Sequence, residues 1–600
     1  RLMPTYSHPT KAMSISNAKA FIASLNASDG RTSASKKSTI LYACLGKNTP
    51  WPDESSPPAP PQNVEYENQI LKDNFIGGKK IDTGSVSHVV PRKNWVSGTV
   101  YSMYRDTATN LFSDNASPFY VVTDQLNVYK CLFNNKKTAS TVKPTGFSTL
   151  PFTASDGYTW KYLYTISLGE ADKFMTSVHM PVKTVSATDG STESDRLLAV
   201  QAAAVDGAIQ VVETNTSGVG YDAVVDASVA TAVTTQLTVS QAVDVAISDN
   251  NDRYNGSSVY VVSGTGAGQL RRIVNYNGST RTLTVNTAFT TVPNTTSKVN
   301  IAPTVTIIGD GSGAKAYAHL NAAGAVANIS VINVGSKYTK AIALISANST
   351  HGSGATANVV ISPKGGHGSD CIAELGGDKV ALNIQFQGSE GVSANGNGYI
   401  PSNTEFRTIS ILKDPVLKCN SNNEFRTTES VANTSNSPST LRMTTRATIS
   451  YQSMNGADPV SAFEVRDVII NERNRLRAEL GVLEFVTVLG AEQRKGTYAL
   501  QSSLQAANAQ IVFIREDETQ TDTSFYTAYL NNVASYSTYV PFTKDDVLLK
   551  SGSETKVATV QQIKGPEANT ASGEILYTEN ISAATKSLDQ VEDIKIILDF

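Results

Sequence analysis

Apolar and polar residues alternate in short runs along most of this chain, and one early segment departs from that rhythm. In "SISNAKAFIASLNAS" the apolar positions Ile15, Phe21, Ile22 and Leu25 recur near helical spacing, which predicts a short amphipathic helix. "STILYACLG" then reads as a buried strand, stopped by "TPWPDESSPPAPP". The six prolines between Pro50 and Pro61 remove amide donors and favour polyproline II, so an extended surface strap is expected. Trp51 among those prolines favours a strap that docks over a free linker. "VSHVVPRKNW", "GTVYSMYR", "PFYVVTDQLNVYKCLF" and "DGYTWKYLYTI" are aromatic and β-branched runs between Gly, Asn and Asp turns, predicting a β-rich core from Val89 through Ile166. Trp95, Trp160, Tyr162 and Tyr164 bring large apolar area with polar handles, which core packing explains as well as binding does.

The pattern changes near residue 193. From there to about 365 the chain is Ala, Val, Thr, Ser and Gly, and between Thr304 and Ser362 only Asp310, Lys315, Lys337 and Lys340 carry full charge. Ile209–Tyr221 resembles Val326–Tyr338, and the blocks beginning at Gly311 and Gly352 both read Gly-Ser-Gly-Ala. Such repetition predicts a small β-unit used more than once. Asn277-Gly278, between alternating runs, predicts a hairpin. Mixed sequence resumes with "ALNIQFQ" and "EFRTISILKDP", followed by a Ser/Asn/Thr-rich loop over Asn420–Ser439. "EVRDVIINERNRLRAELGVLEFVTVLG" is ambiguous, with helix formers in its middle and a strand-like Val482–Leu489. Further strands and polar turns run to about Lys564. At the close, Ile594, Ile596, Leu598 and Phe600 alternate with Lys595 and Asp599, which predicts a strand with one buried face. That strand is expected to return to a sheet formed by residues 38–166, with Phe600 as a core anchor.

The fold class expected is therefore mainly β: a multi-domain, β-sandwich-like core with inserted all-β modules and a few short helices. The expected organisation is an N-terminal arm with a short helix (1–37), a first part of the β core (38–192), and a Gly/Ala/Ser/Thr-rich all-β insertion (193–365). A second part of the core (366–440), an additional β-rich module (441–570) and a returning C-terminal strand (571–600) follow. Six hundred residues are ample for several such domains on a prior of about 100–200 residues each.

Composition narrows the chemistry. Fifty basic against 53 acidic residues give a formal charge of −3, which offers no electrostatic reason to expect nucleic acid or an anionic membrane as partner. No apolar run approaches the roughly 18–20 residues of a membrane span, so no membrane insertion is expected. Cys44, Cys131, Cys371 and Cys419 lie far apart without a CxxC pair and read as buried free thiols. The opening "RLMPTYSHPTKAM" lacks the apolar core of a signal peptide, so folding in a reducing cytosol is expected.

Six histidines are scattered without metal-ligand spacing, and no metal or other cofactor is expected. His367 lies near Asp370 and Cys371, but partners of a catalytic triad meet in space and seldom within five positions. Glycines 365, 366 and 368 more simply mark a tight turn. "GTGAG" lacks the Lys-Ser/Thr of a phosphate loop, and a calcium loop starting at "DNNDRYNG" would have Arg253 at its third ligand position and Tyr260 in place of the closing Glu. No catalytic residues are assigned, and the chain is not expected to be an enzyme.

Six segments, taken in order, carry a resemblance: "ILYACLGKNTPW…APP", "VSHVVPRKNW", "VYKCL", "DGYTWKYLYTI", "FRTISILKDP" and "GEILYTENISAATKSLDQVEDIKIILDF". They resemble the baseplate wedge protein of T4-like phages, the gene-product-eight class. The match is strongest at Trp51, at Val90-Pro91-Arg92 with Trp95, and at Asp156-Gly157-Tyr158 with Trp160. At the close it runs through Gly573-Glu574, Tyr577, Glu579-Asn580, Asp589-Gln590 and Phe600. The segments cover less than half of the chain, which is longer than the T4 representative through the region after 193 and the module after 440. The resemblance implies a mostly β, non-catalytic structural subunit of the virion, located in the tail baseplate and assembled in the host cytoplasm. It implies a homodimer within each wedge that grips other baseplate wedge subunits and relays the rearrangement triggering sheath contraction. Trp51, Pro91, Arg92, Trp95, Trp160, Tyr577, Glu579, Asn580 and Phe600 are then the interface or core candidates. The alternative is a receptor-binding or fibre-associated adhesin using the 193–365 repeats. A virion glycan depolymerase is a third reading.

Overall fold

The computed structural model describes residues 10–25, 39–61, 65–112, 118–240, 247–346, 351–387, 400, 404–417, 439–451, 485–488, 508–516, 525–534, 547–549, 556–586 and 590–600. The expected loop over 420–438, the helix-forming part of the ambiguous segment at 464–484, Cys419 and Asp589 lie outside them. The protein is mainly β, with several sheets, a barrel and short helices. Two compact units share the chain: Arg1–Ile15 with His88–Asp378, and Ser16–Ser87 with Lys379–Phe600.

In the first unit a four-stranded antiparallel sheet runs in the order Tyr120–Val122, Asn127–Asn134, Tyr158–Thr165, Phe152–Thr153. Seven of the eight residues of Asn127–Asn134 are buried, so both faces of that strand meet protein. Tyr158 and Trp160 stack with ring centres 5.6 Å apart, and Tyr101 meets Trp160 edge-on at 5.7 Å. These rings form the centre of an aromatic core.

The Gly/Ala-rich region opens with a helix, Thr192–Ala202, and so is not wholly β. Ser191 caps it by accepting the Ser194 N–H, and Leu197 and Val200 are buried. An eleven-stranded sheet follows. Within it the sequence repeat is a structural repeat: Ile209–Val219 pairs with Ser353–Ile361, and Val326–Asn333 pairs with Lys315–Leu320. The Tyr221 hydroxyl accepts the Ala355 N–H, and the Tyr338 hydroxyl accepts the Ala314 N–H, each within a Gly-Ser-Gly-Ala block. Gly218 and Gly335 occupy matching left-handed positions, with φ of +61° and +62°. A Cβ on either would come 2.5 Å from the backbone nitrogen of Ala355 or Ala314.

The Asn277-Gly278 hairpin forms between Leu270–Asn277 and Thr282–Val285. Its turn is longer than two residues, and the left-handed position falls on Arg281. Gly278 is required for another reason, since a Cβ there would lie 2.2 Å from the Asp249 carbonyl oxygen.

The second unit holds a five-stranded sheet in the order Thr440–Arg442, Phe75–Ile81, Leu41–Gly46, Thr404–Lys413, Glu574–Lys586. Leu41–Gly46 is central and buried throughout, as a continuous apolar run should be. The predicted helix spans Lys11–Leu25, and Ala18, Phe21, Ile22 and Leu25 pack on this unit's core. The closing strand, Val591–Asp599, pairs antiparallel with Lys379–Gln387, Ile596 opposite Leu382. Its ladder partner is therefore a late segment, whose Val380, Leu382, Ile384 and Phe386 match its alternation. The core it joins is shared by early and late segments: Ile594, Ile596, Leu598 and Phe600 pack with Leu41, Ala43, Leu45, Ile76 and Ile81 and equally with Phe406, Ile409 and Ile411. Strands between Thr445 and Lys564 close into a six-stranded barrel, in which Phe485–Val488 takes the strand half of the ambiguous segment.

Candidate functional site

The strap and the late strand Glu574–Lys586 bring distant candidate residues together. That strand is the outer member of its sheet, and an uncovered outer strand offers unpaired backbone groups to any passing chain. The strap covers this one. Trp51 donates its indole N–H to the Ile581 carbonyl (2.8 Å), and Asn580 donates to the Pro58 carbonyl (2.9 Å). Ser582 donates to the Glu54 carbonyl, and the Glu54 carboxylate accepts the Ala583 N–H. Prolines lack amide donors, so side chains make these links.

Arg407 anchors the arrangement from beneath. It is 3% exposed, donates Nε to Glu54 at 2.6 Å and Nη2 to Glu405 at 2.7 Å, and gives Nη1 to the Asn48 carbonyl. The Lys47 ammonium lies 4.4 Å from the centre of the Trp51 ring. Tyr577 donates to Glu579 at 2.6 Å, and burial followed by that carboxylate pushes its hydroxyl above the ordinary tyrosine range. Trp51, Tyr577, Glu579 and Asn580 thus lie on or beside one covered edge, while Phe600 packs on Phe21 with ring centres 5.3 Å apart.

The remaining candidates belong to the first unit. The Pro91 carbonyl accepts the Tyr120 hydroxyl (2.7 Å). Arg92 donates to the Thr176 carbonyl and to Asn94. Trp95 donates its indole N–H to Ser140 (3.2 Å), and Trp160 is buried in the aromatic core. Each holds local structure. Cys44, Cys131 and Cys371 are buried free thiols.

A second constellation is buried in the same unit. Lys130, on Asn127–Asn134, and Glu374, on the helix Cys371–Leu375, form an ion pair at 2.9 Å with side chains 0% and 2% exposed. His367 Nδ1 lies 3.0 Å from the Lys130 ammonium and 3.9 Å from the Glu374 carboxylate. The Gly368 N–H donates to the other Glu374 oxygen, and the Tyr104 ring centre lies 3.8 Å from Lys130 Nζ. Burial pulls the Lys130 amine below the ordinary lysine range, and burial together with Lys130 pushes His367 down to about 4. Gly365, Gly366 and Gly368 all take positive φ, forming the tight turn that delivers His367.

The Cys–His–Asp grouping takes a different form. Asp370 caps the short helix by accepting the Ala373 N–H, while the buried Cys371 thiol meets the Gly368 carbonyl oxygen at 4.0 Å. Burial, reinforced by Glu374, pushes that thiol far above its ordinary value, which is the reverse of nucleophile activation.

Sequence reasoning missed Glu54, Arg407, Lys130 and Glu374. Lys130 had a signal: a single charge inside "VYKCL", where both faces of the strand are apolar. No helix among the described residues is long and apolar enough to cross a membrane. Compared with known proteins, the chain matches no family model and no curated sequence at a significant level.

Proposed function

We propose that this protein is a structural subunit of a contractile-tail phage baseplate wedge. It holds neighbouring wedge subunits together as a homodimer and relays the rearrangement that triggers sheath contraction. The observation that carries this reading is the strap. The first and last segments of the baseplate resemblance meet there, with Trp51 bonded to Ile581 across 530 positions. A subunit that must transmit load needs its extended segments fastened, and a covered outer strand keeps assembly from running into unspecific strand addition. Its partners are other wedge subunits, and its place is the baseplate of the virion. The test is assembly without it: host cells producing all other virion proteins should accumulate heads and lack complete contractile tails. Complete, contractile tails in its absence would remove the basis of the reading.

One observation favours the adhesin alternative. A cleft of about 810 Å³ lies beside the repeat strands of the first unit, lined by Phe133, Leu150, Gln210, Thr214, Asn328 and Ser330. Lys136 and Glu213 also line it, but Lys136 is bound to the Ala327 carbonyl and Glu213 to Arg105, which leaves apolar walls and neutral polar groups to meet a ligand and suits a carbohydrate. Saturable binding of host glycans, lost on filling the cleft with Ser330→Trp, would favour this second reading.

A further inference from the structure

We propose that Lys130 and Glu374 condense into an intramolecular amide bond, a covalent staple between the strand Asn127–Asn134 and the helix Cys371–Leu375. Nucleophile and electrophile are already in contact, Nζ to Oε2 at 2.9 Å, and both are closed off from solvent. Groups held at this distance react as one molecule, which supplies much of what a bimolecular condensation lacks. Solvent exclusion also favours the product. A buried ion pair bears the desolvation of two charges, whereas the amide bears none, and the water released passes to bulk.

The surrounding groups fit the steps. His367 Nδ1, 3.0 Å from Nζ, takes a proton from the amine. The neutral nitrogen attacks the Glu374 carboxyl carbon, and the negative charge developing on Oε1 meets the Gly368 N–H. His367, 3.9 Å from Oε2, returns that proton to the departing oxygen, then takes a second proton from the newly bonded nitrogen and passes it to the same oxygen, which leaves as water and restores the neutral imidazole. Tyr104 closes the opposite side of the amine, its ring centre 3.8 Å away. One C–N bond forms and one C–O bond breaks: an ammonium and a carboxylate become an amide and one water. No oxidant, metal or other reactant is needed. The bond would close a loop of chain whose ends lie 244 positions apart and which contains the whole eleven-stranded sheet. The inference does not depend on the baseplate reading.

Mass spectrometry of the full-length protein, purified and incubated at neutral pH, tests it. The expected intact mass is lower than the sequence mass by one water. Tryptic digestion should leave Lys130 uncleaved within a branched peptide that joins the segments bearing Lys130 and Glu374. Lys130→Met should restore the sequence mass and yield separate linear peptides, and His367→Gln should slow the loss of water. A wild-type protein of full sequence mass, or one that has lost water but gives linear peptides cleaved after Lys130, overturns the proposal. The wild-type peptide map alone decides it, even if a variant fails to fold.

Discussion

Gly218 and Gly335 illustrate how single atoms decide local structure here. Both sit in left-handed backbone against a neighbouring strand, with no room for a methyl group. Gly218→Ala and Gly335→Ala should each destabilise the repeat module by about 1–3 kcal/mol, the cost of a forced left-handed residue. Thermal unfolding would read this, and an unchanged melting temperature for both would contradict the repeat geometry.

His367 makes the first unit sensitive to acid. Its folded-state pKa of about 4 lies below the ordinary 6.5, so the unfolded chain takes up the proton first as pH falls. Stability of the first unit should therefore decline from pH 6.5 toward about 4 and then level off, by at most ~1.4 kcal/mol per pH unit. Lys130, Glu374, Lys161 and Tyr104 surround the ring. With the Lys130–Glu374 pair in the same covalent state in both proteins, as intact mass shows, His367→Gln should flatten the slope in denaturant titrations over this range; an equally steep slope would assign the acid sensitivity elsewhere. The turn carrying His367 was legible from its glycines. Its partners were not: Glu374, seven residues on, looks like any helix glutamate, and Lys130, although odd within an apolar strand, lies 237 positions away.

At the scale of elements, the strap and the closing strand stand apart from ordinary linkers. Trp51→Ala removes the indole bond to Ile581 and the ring beneath Lys47. It should speed hydrogen exchange along Glu574–Lys586 and promote self-association through the uncovered edge. Exchange measurements that find this strand unchanged would show that Glu54 and Arg407 suffice. Phe600→Ala should cost the second unit about 1–3 kcal/mol, below the 3–5 of a fully buried phenylalanine because Phe600 is half-buried. Chemical denaturation measures it.

The strap, the first helix, the hairpin and the closing strand were each legible from local pattern, because proline content, apolar spacing and alternation act over a few residues. The pairing of Val591–Asp599 with Lys379–Gln387 was not, since several late segments offer the same apolar alternation. The helix Thr192–Ala202 was hidden because its Ala-rich continuation matches the composition of the sheet that follows. Ser191 with Glu193 and Asp195 in the first turn was the usable signal.

At the scale of the molecule, mainly β architecture followed from low charge, abundant Tyr and Thr, and Gly-punctuated runs. The internal repeat was legible because its glycines and tyrosines are fixed by contacts that recur, Tyr221 with Ala355 and Tyr338 with Ala314. The fastened edge was partly legible: Trp51 and Asn580 stand out in the sequence, whereas Arg407, which anchors the strap through Glu54, looks like any charge on a strand. The distribution of roles is consistent with a load-bearing subunit, in which extended segments are fastened and ionisable groups are locked inside a core.

The proposed role fixes a position in a particle. Cryo-electron microscopy of the assembled virion should place this chain in the tail baseplate, in each of the sixfold wedges, with a second copy of itself alongside and other wedge subunits in contact. Density for the chain in the capsid or in a distal fibre would contradict the claim.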